Sequence, residues 1–385
     1  MSGIIAQPCR SIPRGEDFLL LSPTWQAYAY ANVNAMFATR GIARGAEAFP
    51  LSRGREITAD YELAGERLGL EDYIERNNVA GLLVLQGSTI RLERYALGLE
   101  ENRRWSSMSM IKSLTSTLVG AALQDGSIES LDDAVSRYLP ALRGSAYDAV
   151  NVRDLITMSS GVDWNEDYTD RNSHVNRYSK SLGDKVPGGV LALMRSVRGL
   201  HPPGSQFNYN TGDTYVLGAL LSAATGRTLA DYMSSKIWSR FGMEFDAFYT
   251  LESEGGQEIG GSRAGMALRD FGRFGLFLLN GGMIGDERVL PEGWLDAAGS
   301  RIFSLDPETN NYGADGYGYS WWIDPDGAMV AVGFAGQTLY VNRQADVVIV
   351  TLSCHPQPPF AASYDVDFKA DRFAFKDAVL RQLRI

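Results

Sequence analysis

Residues 79–86 read VAGLLVLQ, an apolar and partly β-branched run, and Gly87-Ser88 follows as a two-residue turn signal. Residues 89–95 (TIRLERY) then alternate apolar with charged side chains. The pattern predicts a hairpin, one strand buried and the next with one face in water. Residues 113–124 carry apolar side chains at 114, 118, 119, 122 and 123, the three-and-four spacing of a buried helix ended by Asp125-Gly126, so its start falls near Ser109. From about 130 to 275 mostly helical patterns recur between Gly and Pro, at 152–158, 189–195, 214–224, 229–241 and 266–279. Short aromatic or β-branched runs at 316–323, 329–334, 338–342 and 347–352 predict an antiparallel meander. A terminal helix at 368–383 would lie on that sheet. The first seventy residues look irregular, an extended arm whose aromatic run, Trp25 to Tyr30, packs across the body of the fold.

These elements imply an α/β fold, an antiparallel sheet flanked by helices with a mostly helical domain inserted into it. The expected boundaries are an arm over 1–70, the sheet domain from 71–130 and 280–385, and the helical domain over 131–279. No internal repeat or low-complexity tract interrupts them. With 385 residues and 45% hydrophobic content the chain can fill such a core. Lys and Arg number 36 against 46 Asp and Glu, a net charge of -10 that repels a phosphate backbone, so nucleic acid is not an expected partner. No apolar run approaches a membrane span, and Pro8, Pro13, Glu16 and Asp17 interrupt the start, which reads as a soluble, cytoplasmic protein without a membrane partner. Cys9 and Cys354 are too few for a disulfide framework and read as unpaired packing residues of a reducing compartment.

The chain lacks a Walker A loop, an HExxH, a strict G-x-S-x-G elbow and a paired C-x-x-C. Its three histidines, His174, His201 and His355, stand in polar or Pro-flanked surroundings and offer little to a Ser-His-Asp triad or a metal site. A hydrolase logic without histidine remains, in which lysine transfers the proton. Of the six lysines only Lys112 has a serine three positions before it, in Ser109-Met110-Ile111-Lys112. Residues three apart share a helix face, so Ser109 Oγ and Lys112 Nζ can meet. The helix N-terminus would favour an oxyanion at the serine, and burial would lower the lysine pKa toward that of a general base. S-x-x-K is common by chance; its place between a hairpin and a buried helix singles this one out. A phenol can stand in for histidine in relaying a proton, and the turn-rich loop 203–212 places Tyr209 just before a helix, although on pattern alone a loop tyrosine is more often a packing residue.

With these residues the sequence resembles the serine β-lactamase and penicillin-binding-protein superfamily, in its class C and esterase branch, and most of all the 6-aminohexanoate-dimer (nylon-oligomer) hydrolases, amide hydrolases with some carboxylesterase activity. The resemblance covers about residues 70 to 355: Ser109 to Leu114 matches the nucleophile motif, residues 155–161 the L-L-x-x-x-S-G segment, and residues 207–211 the tyrosine motif. It implies a β-lactamase-like fold and carries the tyrosine role to Tyr209. Thr211 stands where the lactamases have Asn, and Phe334-Ala335-Gly336 where they have K-T-G, which removes the lysine that greets a β-lactam carboxylate and favours the esterase and amidase branch. Gly336 would allow close backbone approach, so that the Gln337 N–H joins the Ser109 N–H as the oxyanion hole. Asn165-Glu166-Asp167-Tyr168 resembles the substrate-side loop, with Tyr168 and Glu166 toward substrate, and Trp322 of the Trp321-Trp322 pair would wall the cleft.

The expected protein is an acyl-enzyme-forming serine hydrolase of a small-molecule amide or ester, with Ser109 as nucleophile, Lys112 as base and Tyr209 as proton relay, and with no metal or organic cofactor. A non-catalytic ligand-binding scaffold and a β-lactamase or peptidase stay open as alternatives, as does a homodimer.

Overall fold

The computed structural model describes residues 15–356 and 366–384; Cys9 lies outside them. One sheet is built from β1 (Ser52–Arg53), β2 (Val79–Gln86), β3 (Thr89–Tyr95), β4 (Phe303–Ser304), β5 (Gly316–Tyr317), β6 (Trp322–Ile323), β7 (Met329–Gly333), β8 (Gln337–Asn342) and β9 (Val347–Ser353). In space they run β4-β5-β6-β7-β8-β9-β2-β3-β1. Neighbours are antiparallel except the edge pair β1 and β3. The two ends of the chain therefore interleave in one sheet, with β9 beside β2. The helices used below are α1 (Pro23–Ala31), α2 (Met110–Gln124), α3 (His174–Gly183), α4 (Thr211–Thr225), α5 (Leu268–Leu279) and α6 (Phe368–Gln382).

The unbroken apolar run of β2 reflects burial on both faces. Leu83 and Leu85 enter one core with Phe271 and Phe274 of α5, while Leu82 and Val84 enter the other with Phe375 and Val379 of α6. β3, near the sheet edge, alternates half-buried with buried residues from Thr89 to Glu93 and stays half-buried to Tyr95. Among the described residues no helix is long and apolar enough to cross a membrane.

Four sequence expectations change. The first seventy residues are not an extended arm throughout: α1 buries Gln26, Ala29 and Tyr30 at helical spacing, with Pro23 at its start, and Thr39–Ile42 pairs with Ala247–Thr250. The alternation of Ala with aromatic residues hid that periodicity. The run 316–323 is two short strands, β5 and β6, because Gly318 N bonds Trp321 O and Ser320 takes a left-handed φ of 59°. α3 was missed, since only Val175, Tyr178 and Leu182 mark its apolar side in a polar segment. Finally α5, expected in the helical block, packs across β9, β8 and β2.

Candidate active site

Between Trp105 and Ala122 every residue is buried except Ser109, which is half-buried. Met108 before it takes a left-handed φ of 45°, and Ser109 then opens α2 without using its hydroxyl to cap the helix. The turn thus points one hydroxyl out of an otherwise closed stretch. Lys112 lies one turn on, 2% exposed, and its Nζ donates to Ser109 Oγ at 2.9 Å and to Gly261 O at 2.7 Å. Burial pushes the Lys112 ammonium down to about 7; the Glu166 carboxylate works against this and the Arg263 charge adds to it.

The Gly261 carbonyl arrives through a small sheet in which Trp105–Ser106 pairs with Gly265–Met266 and Ser107 N bonds Ala264 O. Gly261 is required there, since a Cβ would overlap the Thr214 hydroxyl of α4. Sequence reasoning missed this carbonyl; the Gly260-Gly261 pair was the only signal of a close backbone approach.

Tyr209 sits just before α4. Its place is fixed by Asn210, whose side chain accepts from Asp213 N at 3.1 Å and donates to Asp213 Oδ1 at 2.9 Å, and by Tyr147, whose hydroxyl donates to the same oxygen at 2.7 Å. The Tyr209 ring lies 5.1 Å from Lys112 Nζ and stacks on Trp322 at 5.7 Å. Burial pushes its phenol well above the ordinary tyrosine value, while an interaction with the Ser109 side chain works the other way.

The tight turn between β7 and β8 faces the serine. A Cβ on Gly333 would come within 2.8 Å of Met108 Cβ, so the turn seats against the residue preceding Ser109. Gln337, fully buried at the start of β8, accepts from Ala335 N at 3.2 Å and donates to Ser353 O at 2.8 Å through its side chain, which pins this backbone. Gly336 departs from expectation. Its φ of +88° demands glycine, but the space its Cβ would fill is taken by the His355 imidazole rather than left open for a ligand.

Glu166, which lines a cavity with Tyr209, is also fully engaged within the protein. Its two oxygens accept from Trp164 Nε1, Thr211 Oγ1, Thr211 N at 3.1 Å and the Tyr168 hydroxyl at 3.0 Å. It is a clamp joining the 164–168 loop to the start of α4, and Thr211 is one of its donors. Tyr168, so held, stacks on Phe334 at 5.2 Å. Tyr168, Tyr209, Tyr312 and Trp322 line, with Glu166, an open cavity of about 440 Å³. Trp321 points into the main core instead, 1% exposed. His174 accepts from Asn165 N at 3.0 Å and stacks on Trp164, His355 is half-buried with desolvation lowering its pKa to about 3, and His201 is exposed.

A hydroxyl and an amine in contact at the start of a buried helix, beside the turn between two central strands, define a class. The chain belongs to the beta-lactamase family of serine hydrolases, whose model, described as Beta-lactamase, matches residues 70–372. Within it the chain is similar to the 6-aminohexanoate-dimer hydrolase of Paenarthrobacter ureafaciens, 30% identical over 344 residues that cover 86% of each protein. A shorter match, 31% identical over 159 residues, relates 39% of this chain to 29% of the D-aminopeptidase of Brucella anthropi. A solved structure from Bacillus anthracis, provisionally named a 6-aminohexanoate-dimer hydrolase, has the same fold, with a TM-score of 0.83 at 20% identity over 98% of this chain and 99% of that one.

Proposed function

We propose that the protein cleaves a small amide or ester through an acyl-enzyme on Ser109. The observation that carries this reading is the 2.9 Å contact between Ser109 Oγ and a lysine whose burial brings it to about 7, so that near neutral pH much of it is uncharged and able to accept a proton. As Ser109 Oγ attacks the carbonyl carbon, its proton passes to Lys112 Nζ. The N–H groups of Ser109 and Gln337 receive the tetrahedral oxyanion. Collapse breaks the C–N or C–O bond, and the leaving group takes a proton through Tyr209. Water then attacks the acyl group, gives up a proton to the same pair, and Ser109 leaves with its proton restored.

The place of the lactamase strand lysine is held by Phe334, stacked on Tyr168, so this wall offers an aromatic face instead of a cation. That supports amides and esters over β-lactams. Two cysteines in 385 residues fit a reducing, cytoplasmic setting. The reading is tested with the 6-aminohexanoate linear dimer, followed by release of 6-aminohexanoate, and with 4-nitrophenyl butyrate. Hydrolysis of either that depends on Ser109 supports it, and hydrolysis of neither contradicts it.

Tyr168 supplies a further expectation. Tyr168 lines the cavity with its hydroxyl proton given to Glu166, so its oxygen can accept from the N–H of an amide, which an ester lacks. Tyr168→Phe is expected to lower amide turnover by about tenfold while changing 4-nitrophenyl ester hydrolysis by less than about threefold. Equal losses on both substrates would remove Tyr168 from amide cleavage.

A further inference from the structure

Tyr312 takes no part in the acyl-enzyme steps, yet its backbone N–H and carbonyl are both held. Asn310 Oδ1 accepts from Tyr312 N at 3.1 Å, while the Asn310 amide donates to Asp306 O at 2.7 Å and to Ala314 O at 2.6 Å. Arg372, paired with Asp324 at 3.1 Å, donates to Tyr312 O at 2.8 Å. The half-buried ring so fixed lies 4.8 Å from that of Trp322, tilted by 58°, and Trp322 in turn stacks on Tyr209 at 5.7 Å. These rings make one continuous wall of the cavity of about 440 Å³, starting at the proton relay. A backbone pinned in this way keeps the wall in place before a ligand arrives, which lowers the ordering cost of binding.

The half of the substrate that meets this wall follows from the chemistry at the serine. Tyr209 gives its proton to the departing nitrogen or oxygen, and the Tyr168 oxygen can accept from the N–H of an amide. Both residues line the cavity, so it is the leaving half that enters it. The lining is also one-sided in charge. Its charged residues are Glu166 and Asp167, and no lysine or arginine stands among the described residues that line it. Glu166 already accepts from four donors, and Asp167 Oδ1 accepts from Thr169 N at 2.8 Å and Thr169 Oγ1 at 2.7 Å. An aliphatic chain gains from the ring faces, whereas a carboxylate next to the departing atom would face Glu166 with no counter-charge. Asp167, Thr169, Thr309 and Asn311 are exposed, so a charged end that reaches them regains water.

We propose that Tyr312 and Trp322 form the specificity wall for the leaving half, so that the substrates are amides or esters whose amine or alcohol begins with an uncharged aliphatic chain, any charge lying at its far end. This rests on the acyl-enzyme reading above and names the leaving-group class of the same site. It excludes α-amino acids as leaving groups, because their carboxylate stands one carbon from the nitrogen. The methylene chain in the leaving half of the 6-aminohexanoate dimer meets the requirement and carries its carboxylate out to the exposed rim.

The test compares hexyl butyrate with methyl butyrate, which share an acyl group and have leaving alcohols of similar reactivity. Each methylene laid against the wall is worth up to about fourfold, so the wild-type protein is expected to favour the hexyl ester by at least about tenfold in kcat/KM, mainly through KM. N-butyryl-6-aminohexanoate should exceed N-butyrylglycine by at least about tenfold in kcat/KM. Tyr312→Ala should cut the hexyl preference to below about threefold, and Tyr312→Phe, which keeps the ring, should retain it, whereas a merely structural role would slow both esters alike. Equal rates on the two esters, or N-butyrylglycine cleaved as fast as its longer counterpart, would overturn the proposal on wild-type protein alone, whatever the folding of the variants. A hexyl preference that survives Tyr312→Ala would overturn it as well. If 4-nitrophenyl butyrate is not hydrolysed in a Ser109-dependent way, it is the acyl-enzyme reading that fails. Calorimetry with N-hexylbutyramide and N-methylbutyramide then decides the wall by itself: tighter binding of the hexyl amide that is lost in Tyr312→Ala supports it, and equal or absent binding ends it.

Discussion

Ser109→Ala is expected to lower turnover of 4-nitrophenyl butyrate by at least about 10⁴-fold, with the unfolding free energy changed by less than about 1 kcal/mol. The two parts of this result have separate causes. No other hydroxyl in the stretch from Trp105 to Ala122 reaches solvent, so no neighbour can replace the nucleophile. Ser109 caps nothing with its side chain, and after its removal Lys112 Nζ still donates to Gly261 O, so the fold loses little. Activity and denaturant unfolding measured on the same preparation check both. A large loss of stability alongside the loss of activity would show Ser109 to be a structural residue instead.

Lys112 gives the second large effect. Lys112→Ala should cost about 10³-fold in kcat/KM, and Lys112→Arg should not rescue it, because a guanidinium keeps its proton. The wild-type pH profile is the sharper test. The native lysine titrates near 7, well below the ordinary lysine value, so kcat/KM should rise as pH increases through about 7 and level off above it. The same shift has a stability sign. Between that pH and the ordinary value of 10.5 an unfolded chain holds a proton that the native lysine has lost, so this group's contribution to stability increases with pH across the window. The Glu166 carboxylate raises the Lys112 value, so Glu166→Gln should move the rising limb to lower pH. A limb that stays in place would mean that Glu166 acts on Tyr168 and α4 alone.

The parts of the fold legible in sequence were those where a single periodicity ran without interruption. β2 and β3 have the bounds their patterns predict, since both faces of β2 are covered by apolar layers and the turn at Gly87-Ser88 is local. α1 and α3 were not legible, because their buried sides rest on few residues and the remainder is decided by what packs on them. At the site, the meeting of Ser109 with Lys112 follows from helix geometry and could be read directly. Tyr209 could be placed only through the family resemblance, since its approach to Ser109 depends on a loop held by Asn210, Asp213 and Tyr147. The hydrogen bonds that hold Glu166 were not legible, because its four donors come from both sides of a contact the sequence separates by 45 residues.

Serine acylation is the claim on which the remaining roles depend, and it can be observed directly. The protein is mixed with excess 4-nitrophenyl butyrate, quenched in acid within the first turnover, digested and weighed. The account predicts a burst of nitrophenol equal to the enzyme present and a butyryl mass increment on the peptide that holds Ser109, both missing from Ser109→Ala. Steady hydrolysis without an increment on that peptide, or an increment on another residue, would contradict it.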